Sequence, residues 1–426
     1  MFGIVADDLS GAIDASAPFA TRGISTGVPL SLPTVLDLSD WKVIGFNTQT
    51  RGLIGEDIEY TVRGAIRRLL SLGCDKIFKK IDSTLRGYPG LEIRSAMTEM
   101  AAPYAFVAPS FPQNGRTVRG GILHVHENPL LTNSEEKNVS GDTKICSVID
   151  MIGSQSGQPT GLIDLDIVEA GESAIQRQIE KLINSAAKVL VFDAATQTHL
   201  KFITSTITQS FPDGLIVGSA GLSSAFAENL SPKVNVYSTL GTKTHRGNVL
   251  IVAGSTNPVT LTQLDDLAIT NDIETIGIDF QSVVAPANEA RYELRRTALR
   301  TTSAFKQGKD VVLRMTSQTK QLPTHTQSQA FMKTSAMIFN FMQRLALSVF
   351  TQSSPAALVL TGGETAYAVL SGLSTAGIVI HTELQPGVVL GVAKGGVADG
   401  TIVVTKAGGF GNRKTLGAVL KNLKGR

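Results

Sequence analysis

The sequence predicts an α/β protein with two domains, each a mostly parallel sheet flanked by helices. The chain has 426 residues, which is long for one compact core. Short apolar segments alternate with amphipathic ones along both halves, a pattern typical of β-α-β units. A polar stretch rich in turn-forming residues, 231–247, interrupts this alternation and is the predicted linker. We therefore place the first domain at residues 1–235 and the second at residues 246–426.

In the first half, each apolar segment is read as a strand, and helices with one apolar face connect the strands. The helix over residues 56–73 places Ile58, Val62, Ile66 and Leu69 on one side and ends at a glycine. The predicted strands cover residues 2–6, 42–48, 76–82, 104–110, 161–166 and 188–194. The predicted helices cover residues 8–23, 56–73, 90–100 and 173–186, and a strand runs into a helix over residues 215–230.

The second half repeats the alternation from residue 248 onward. Its predicted strands cover residues 248–254, 273–279, 310–315, 356–363, 377–381, 387–393 and 401–407. Its predicted helices cover residues 258–270, 288–307, 335–350 and 364–373. The mildly basic carboxy-terminal "KNLKGR" is predicted to be a frayed end.

The composition excludes several classes of protein. With 39 basic and 36 acidic residues, the net charge of +3 is too balanced for an electrostatic nucleic-acid binder. The chain opens with acids where a signal peptide would carry basic residues, and no apolar stretch approaches the roughly 18 residues that span a bilayer. Two cysteines in the whole chain suit a reducing compartment. We predict a cytoplasmic protein that binds neither nucleic acid nor membrane; its oligomeric state stays open, with a homodimer as one alternative.

Polar clusters follow three predicted strands of the first half, at the strand ends where open α/β sheets bind ligands. They occur in "GIVADD", "KIFKKIDSTLRG" and "FVAPSFPQNGR". An arginine fork suits a carboxylate, and aspartates bind hydroxyls or accept a proton, so the clusters indicate a site for a small hydroxylated acid. The alternative for any single cluster is a solvated turn. The candidate substrate ligands are Asp7, Asp8, Lys79, Lys80, Asp82, Ser83, Arg86 and Arg116.

Glycine-rich turns follow three predicted strands of the second half, in "LIVAGSTNP", "LVLTGGETA" and "VVTKAGGFG". A strand–glycine–helix junction presents backbone N–H groups to an anion, usually a phosphate; the alternative is a plain tight turn. The P-loop and G-x-G-x-x-G patterns are both missing, which disfavours a P-loop kinase and a Rossmann dehydrogenase. His124 and His126 lie two positions apart without an apparent third ligand, so metal ligands stay unassigned.

Taken together, these stretches resemble the four-carbon acid sugar kinase family. The chain carries "ADDLSGA", "KKIDSTLRG", "APSFPQNGR", "GSAGL", "TGGET" and "KAGGFG" in the family's order, over almost its whole length. Ser10 stands where the family usually has threonine, and the stretch after Arg116, "HVHENPLLTNSEEKNVSGDTK", matches the family poorly.

The resemblance implies an acid-sugar domain, a nucleotide domain and an active site in the cleft between them. It implies ATP-dependent phosphorylation of the terminal hydroxyl of an acid such as threonate, erythronate or 3-oxo-tetronate. The ATP contacts that it implies are Ser255, Thr361, Gly362, Gly363, Glu364 and Gly408.

Roles for the polar side chains of the first half follow from phosphoryl-transfer chemistry, which depends on positioning and on neutralising charge. Lys80 and Arg86 are assigned to hold the acid or the moving phosphoryl group, and Asp82 or Asp8 to orient or deprotonate the hydroxyl. Mg²⁺ is assigned to bridge the ATP oxygens. Two alternatives stay open: a sensor that binds both ligands without releasing ADP, and a hydroxy-acid dehydrogenase, which the missing fingerprint disfavours.

Overall fold

The computed structural model describes residues 1–32, 34–132, 144–230, 247–254, 257–270, 272–316 and 329–425. By its internal contacts the chain divides into two compact units. The first consists of Met1–Ile24 and Lys42–Asn235, and the second of Ser25–Trp41 and Val236–Arg426. The predicted linker lies outside the described residues except for Gly247.

Strands and helices alternate along most of both units. The strands are β1 (Phe2–Ala6), β2 (Thr26–Pro29), β3 (Val43–Asn47), β4 (Lys76–Lys80), β5 (Ala105–Ala108), β6 (Arg116–Arg119), β7 (Ile122–Val125), β8 (Asn128–Pro129), β9 (Leu131–Thr132), β10 (Lys144–Ile145), β11 (Thr160–Ile163), β12 (Val189–Phe192), β13 (Leu215–Gly218), β14 (Val249–Ala253), β15 (Ile273–Asp279), β16 (Asp310–Thr316), β17 (Ala357–Thr361), β18 (Gly377–Gln385), β19 (Val388–Lys394) and β20 (Ile402–Lys406). The helices are α1 (Leu9–Thr21), α2 (Glu56–Ser71), α3 (Pro89–Met100), α4 (Val148–Ser156), α5 (Leu165–Glu169), α6 (Glu172–Asn184), α7 (Gln197–Ser210), α8 (Ala220–Leu230), α9 (Pro258–Thr270), α10 (Phe280–Val284), α11 (Ala287–Lys306), α12 (Gln329–Phe350), α13 (Gly363–Gly372) and α14 (Thr415–Lys424). Short 3₁₀ turns follow β3 at Thr50–Gly52 and β5 at Pro112–Asn114.

The first unit contains a parallel sheet in the order β11-β12-β5-β13-β4-β1-β3. Strands β1, β5 and β12 are buried along their whole length, which explains their continuous apolar sequences. Aromatic side chains dominate the core of the unit. They include Phe19, Phe78, Phe106, Phe192 and Phe226. The predicted α/β class is confirmed.

Several elements of the first unit are missing from the predicted elements, among them α4, α5, α7 and the strands β6 to β10. Helix α7 contains Thr204, Thr206 and Thr208, whose hydroxyls donate to backbone carbonyls one turn earlier. Because β-branched residues have low helix propensity, this segment lacks a helical signature in the sequence. Strands β6, β7 and β8 form a small antiparallel sheet directly after the second 3₁₀ turn.

The second unit contains a mixed sheet in the order β2-β18-β19-β20-β17-β14-β16-β15. The five strands from β20 to β15 are parallel, whereas β2, β18 and β19 are joined by antiparallel pairing. Residues 25–41, which the sequence analysis places in the first domain, group with the second unit by their contacts. β2 pairs with β18 from Pro29–Gly377 to Thr26–Ile380, so the segment belongs to the second unit by its hydrogen bonds.

The carboxy-terminal segment is helical up to Lys424, so the predicted frayed end is wrong there. Leu416, Val419, Leu420 and Leu423 are buried at helical spacing. The Lys424 ammonium donates to the Gly247 carbonyl at 2.7 Å and lies 2.8 Å from the Asp310 carboxylate. The buried apolar side chains of α14 and the contacts of Lys424 thus hold the end of the chain in place.

No helix among the described residues is long and apolar enough to cross a membrane. Both cysteines, Cys74 and Cys146, are buried free thiols. Burial raises the pKa of the Cys74 thiol to about 11, so this thiol stays protonated and unreactive near neutral pH.

Candidate active site

The predicted polar clusters of the first unit come together at the carboxyl edge of its sheet. Parallel pairing puts Asn47, Ala6 and Lys80 in one row, and Gly218 and Ala108 extend that row across β13 and β5. The segments that follow these residues therefore leave the sheet side by side. Each of them contributes polar side chains to the site.

Arg51, in the 3₁₀ turn after β3, links three aspartates at this edge. Its Nε donates to Asp7 Oδ2 at 2.8 Å, its Nη1 donates to Asp8 Oδ2 at 3.1 Å, and its Nη2 lies 3.5 Å from Asp82 Oδ1. Burial alone would lower the pKa of Arg51, but the charges of Asp8, Asp7 and Asp82 raise it well above its usual value. Sequence analysis missed Arg51, although the strand-end rule that identified the other clusters also applies to β3.

Asp8 is the N-cap of α1. Its Oδ1 accepts from the Gly11 amide at 2.8 Å, and its Oδ2 accepts from the Ser10 hydroxyl at 2.7 Å. Burial alone would raise the pKa of the Asp8 carboxyl, but Arg51 and Lys80 lower it below its usual value. Asp8 is therefore ionised with both oxygens engaged, and Ser10 supplies the hydroxyl that the threonine of the family pattern would supply.

Asp82 is bound to the turn that follows it. Its Oδ2 accepts from Arg86 Nε at 3.0 Å and from the Thr84 amide at 3.1 Å, and its Oδ1 accepts from Arg86 Nη2 at 2.8 Å. Burial alone would raise the pKa of Asp82, but Arg86 and Arg51 lower it well below its usual value. A carboxylate stabilised in this way is a weak proton acceptor. The same contacts occupy the Arg86 fork, which the sequence analysis assigned to the substrate carboxylate.

Only one of the two Asp7 carboxylate oxygens is bound by a described residue. Its Oδ2 binds Arg51, whereas its Oδ1 has no hydrogen-bond partner within the described part of the chain, although Asp7 is only 2% exposed. This oxygen faces a narrow space over Gly11. A methyl group on Gly11 would lie 2.6 Å from Asp8 Oδ1, 3.2 Å from Lys80 Nζ and 3.7 Å from Asp7 Oδ1. Polar atoms of three site residues thus converge where only glycine fits.

Gly11→Ala is therefore expected to destabilise the protein by about 1–3 kcal/mol, the usual cost of overpacking, and to weaken acid binding. Gly64 in α2 is a matched control, because no described atom lies within 4 Å of the methyl group that Gly64→Ala would add. An alanine there should stabilise the helix by about 0.5–1 kcal/mol. Urea unfolding of both variants measures the two effects. Equal stability changes in the two variants would contradict the close contacts described over Gly11.

Lys79 is paired with a buried carboxylate. Its ammonium lies 2.5 Å from the Glu92 carboxylate of α3, donates to the Lys80 carbonyl at 2.8 Å, and is 0% exposed. Burial raises the pKa of Glu92, and the charge of Lys79 offsets only part of that effect. Lys79 and Lys80 lie on opposite faces of β4, as strand alternation requires. The assignment of Lys79 as a substrate ligand is therefore corrected: it supports β4 from the buried side.

The segment after β5 completes this edge of the sheet. Arg116 is buried, which lowers its pKa, and its charge interacts with those of Asp82 and Arg86. Ser219 of "GSAGL" donates to the Ser110 carbonyl at 2.6 Å and so fixes the start of the segment. Ser83 is buried next to Asp82 in the chain. Apart from Lys79, the predicted substrate ligands thus lie at one sheet edge.

Several buried polar atoms of the loops at this edge lack partners among the described residues. Leaving such an atom unsatisfied costs about 1–3 kcal/mol, so a polar ligand that supplied partners would be favoured. The buried polar atoms without partners are Asp7 Oδ1, Asn47 Nδ2, Gln49 Nε2, Ser110 Oγ and Asn114 Nδ2. One carboxylate acceptor and several neutral donors match a molecule that carries hydroxyls and a carboxylate.

Glycine-rich turns meet at the carboxyl edge of the parallel strands in the second unit. Pairing aligns Ala253, Thr361 and Lys406 in one row. Gly362 follows Thr361 with φ 87°, a backbone conformation that favours glycine, and α13 begins at the next residue. Within the described residues no side chain caps this helix, and Thr361 Oγ1 is buried without a partner. Glu364 lies in the first turn of α13.

Lys406 organises the turn that contains Gly408. Its ammonium donates to the carbonyls of Ala407 at 2.9 Å, Gly408 at 3.0 Å and Phe410 at 3.2 Å. Burial lowers the pKa of Lys406 to about 8. Carbonyl oxygens that would repel a phosphate are thus bound to an internal cation. Ser255, the remaining predicted nucleotide ligand, lies outside the described residues.

Two family models match the chain. One, described as a sugar-binding N-terminal domain, covers residues 2–226, and the other, described as a nucleotide-binding C-terminal domain, covers residues 250–416. Together they account for most of the described chain.

Curated relatives match nearly the full length. The D-threonate kinase of Salmonella typhimurium is 27% identical over 97% of this chain and 96% of its own length. The D-erythronate kinase of Heliobacterium modesticaldum is 29% identical over 96% of this chain and 94% of its own length. Among solved structures, the Haemophilus influenzae protein HI1011 superposes with a TM-score of 0.70 at 21% identity, covering 99% of this chain and 100% of that one, which shows the shared fold.

Proposed function

The chain belongs to the four-carbon acid sugar kinase family and is a kinase, and we propose that it transfers the γ-phosphate of ATP to the terminal hydroxyl of threonate, erythronate or 3-oxo-tetronate. The observation that carries the proposal is the cluster of three aspartates around Arg51, with open polar atoms at the same sheet edge. Such a cluster offers both acceptors for hydroxyls and cations for a carboxylate.

The acid sugar binds through the complementary groups of the first unit. Asp7 Oδ1, an acceptor without a partner among the described residues, accepts from a substrate hydroxyl, and the amides of Asn47, Gln49 and Asn114 donate to substrate oxygens. Lys80 and Arg116 supply the positive charge that a carboxylate requires. The proposed substrate ligands carried over from the sequence are Asp7, Asp8, Lys80, Asp82, Ser83, Arg86 and Arg116.

Asp7 is the proposed general base. Its Oδ1 accepts the proton of the terminal hydroxyl while the hydroxyl oxygen attacks the γ-phosphorus, and the bond from that phosphorus to the bridging oxygen of ADP breaks. This replaces Asp82 as the first choice, because both oxygens of Asp82 already accept hydrogen bonds and its pKa is lowered well below its usual value. Lys80 and Arg86 balance the charge of the phosphoryl group.

ATP binds through the glycine-rich turns of the second unit. Backbone N–H groups at Gly362, Gly363 and Glu364 begin α13 and approach the phosphates, since a helix N-terminus favours negative charge. Thr361, whose hydroxyl lacks a partner among the described residues, and Gly408 complete the proposed contacts together with Ser255. This assignment gives each family domain one of the two ligands.

The described residues do not fit a protein-held Mg²⁺. Among them no three Asp, Glu, His or Cys side chains converge on a point that could hold a metal. Asp7, Asp8 and Asp82 carry the negative charge for one, but the Arg51 guanidinium lies among them and neutralises it. We therefore propose that Mg²⁺ arrives bound to the phosphates of ATP, as Mg²⁺ commonly does.

A coupled ADP-release screen over four-carbon acids tests the proposal. We expect ADP to be released with at least one of D-threonate, L-threonate, D-erythronate and a 3-oxo-tetronate, and not with their aldehyde or alcohol analogues, which lack the carboxylate. Calorimetric binding of acid and ATP without ADP release would indicate the sensor instead. A change in nicotinamide absorbance when a nicotinamide cofactor and an acid are mixed with the protein, without ATP or coupling enzymes, would indicate the dehydrogenase. The cytoplasmic location stays a prediction.

A further inference from the structure

The antiparallel sheet of β6, β7 and β8 extends directly from the candidate site. β6 begins at Arg116, and β7 returns along it. The far end of this hairpin is attached to the main sheet, because Val118 and Ala194 exchange backbone hydrogen bonds at 3.1 Å each. The Asp193 carboxylate also accepts from the Gly121 amide at 2.9 Å in the hairpin turn. The hairpin is therefore an anchored arm.

The near end of the arm is the two-residue turn between β7 and β8. Val125 pairs with Asn128, and His126 and Glu127 between them have φ values of 49° and 69°. Positive φ at both central residues is what a type I′ hairpin turn requires. Asn, Asp and His tolerate this region best among residues other than glycine. The turn thus fixes the direction in which the His126 side chain leaves the arm.

His126 holds Gly115 in two ways. Its backbone amide donates to the Gly115 carbonyl at 2.8 Å. Its imidazole lies over the side of Gly115 where a side chain would stand, since a methyl group there would lie 2.5 Å from His126 Nδ1. Gly115 itself separates Asn114, whose Nδ2 has no partner in the described chain, from the buried Arg116. His126 thus restrains the link between two side chains of the site.

We propose that His126 is a positioning residue that sets the affinity for the acid substrate by fixing Asn114 and Arg116 through Gly115. The inference rests on the proposed function, in which both side chains contact the acid.

The test compares His126→Asn with Glu127→Asn. Both variants put asparagine, which tolerates the left-handed region, into the same exposed turn, but only the first removes the ring from Gly115. For His126→Asn we expect the KM for the acid to rise roughly tenfold, which corresponds to about 1.4 kcal/mol. The KM for ATP, kcat and the melting temperature should stay at wild-type values. Glu127→Asn should leave all four unchanged.

Two results would overturn the inference: an acid KM unchanged in His126→Asn, or equal increases in both variants, which would assign the effect to the turn and not to the ring. Failure of the proposed function would look different, because the wild-type protein would then release no ADP with any four-carbon acid. In that case the rate of amide hydrogen exchange over residues 113–116 still tests whether His126 restrains Gly115. It should be faster in His126→Asn than in Glu127→Asn, and equal exchange would refute the contact.

Discussion

Asp7→Asn is expected to lower kcat by about 10²–10⁴-fold, the contribution of a general base, with the KM for ATP little changed. The substitution keeps the size of the side chain and replaces the carboxylate whose Oδ1 has no partner among the described residues. Arg51 still contacts Asp8, so part of the cluster persists. Steady-state kinetics at saturating concentrations of both substrates measures the effect, and a melting curve confirms that the variant is folded.

Asp82→Asn is the comparison that identifies the base. Its main effect should fall on the KM for the acid, because the substitution releases the Arg86 fork that Asp82 holds at 2.8 and 3.0 Å. A larger loss of kcat in Asp82→Asn than in Asp7→Asn would return the base to Asp82. A kcat within a few-fold of wild type in both variants would leave Asp8 as the next carboxylate to test.

Gly362→Ala is expected to weaken ATP binding about 10- to 100-fold, the loss of one hydrogen bond to a charged group at about 1.5–3 kcal/mol. Gly362 has φ 87° and sits between Thr361 and the first turn of α13. A side chain there both strains the backbone and obstructs the approach of phosphates to the N–H groups of the turn. Isothermal titration with a non-hydrolysable ATP analogue measures the loss, and acid binding should be nearly unchanged.

Gly400→Ala separates these two effects. Gly400 also has a left-handed backbone, with φ 77°, but no described atom lies within 4 Å of an added methyl group. Both variants should therefore lose similar stability from backbone strain, about 1–3 kcal/mol, and only Gly362→Ala should lose ATP affinity. Equal ATP affinities in the two variants would place the nucleotide elsewhere.

The sequence by itself determined the fold class and the sheet edge at which the polar motifs of the first unit meet. Alternating apolar segments predict parallel strands joined by helices, and parallel strands align their carboxyl ends by geometry alone. The motifs after β1, β4 and β5 therefore had to meet, and residues 6, 47 and 80 do lie in one row. Strand alternation likewise determined that Lys79 and Lys80 lie on opposite faces.

Only the tertiary structure decided which of these side chains are available to a ligand. Lys79 is fully buried against Glu92 of α3, Arg86 is held in place by its ion pair with Asp82, and Arg51 joins carboxylates that lie far apart in the chain. Residues 25–41 and α14 are likewise placed by partners more than 100 residues distant. The physical reason is that a charge or a strand edge is stabilised by whatever approaches it in space. That partner is not encoded in the local pattern.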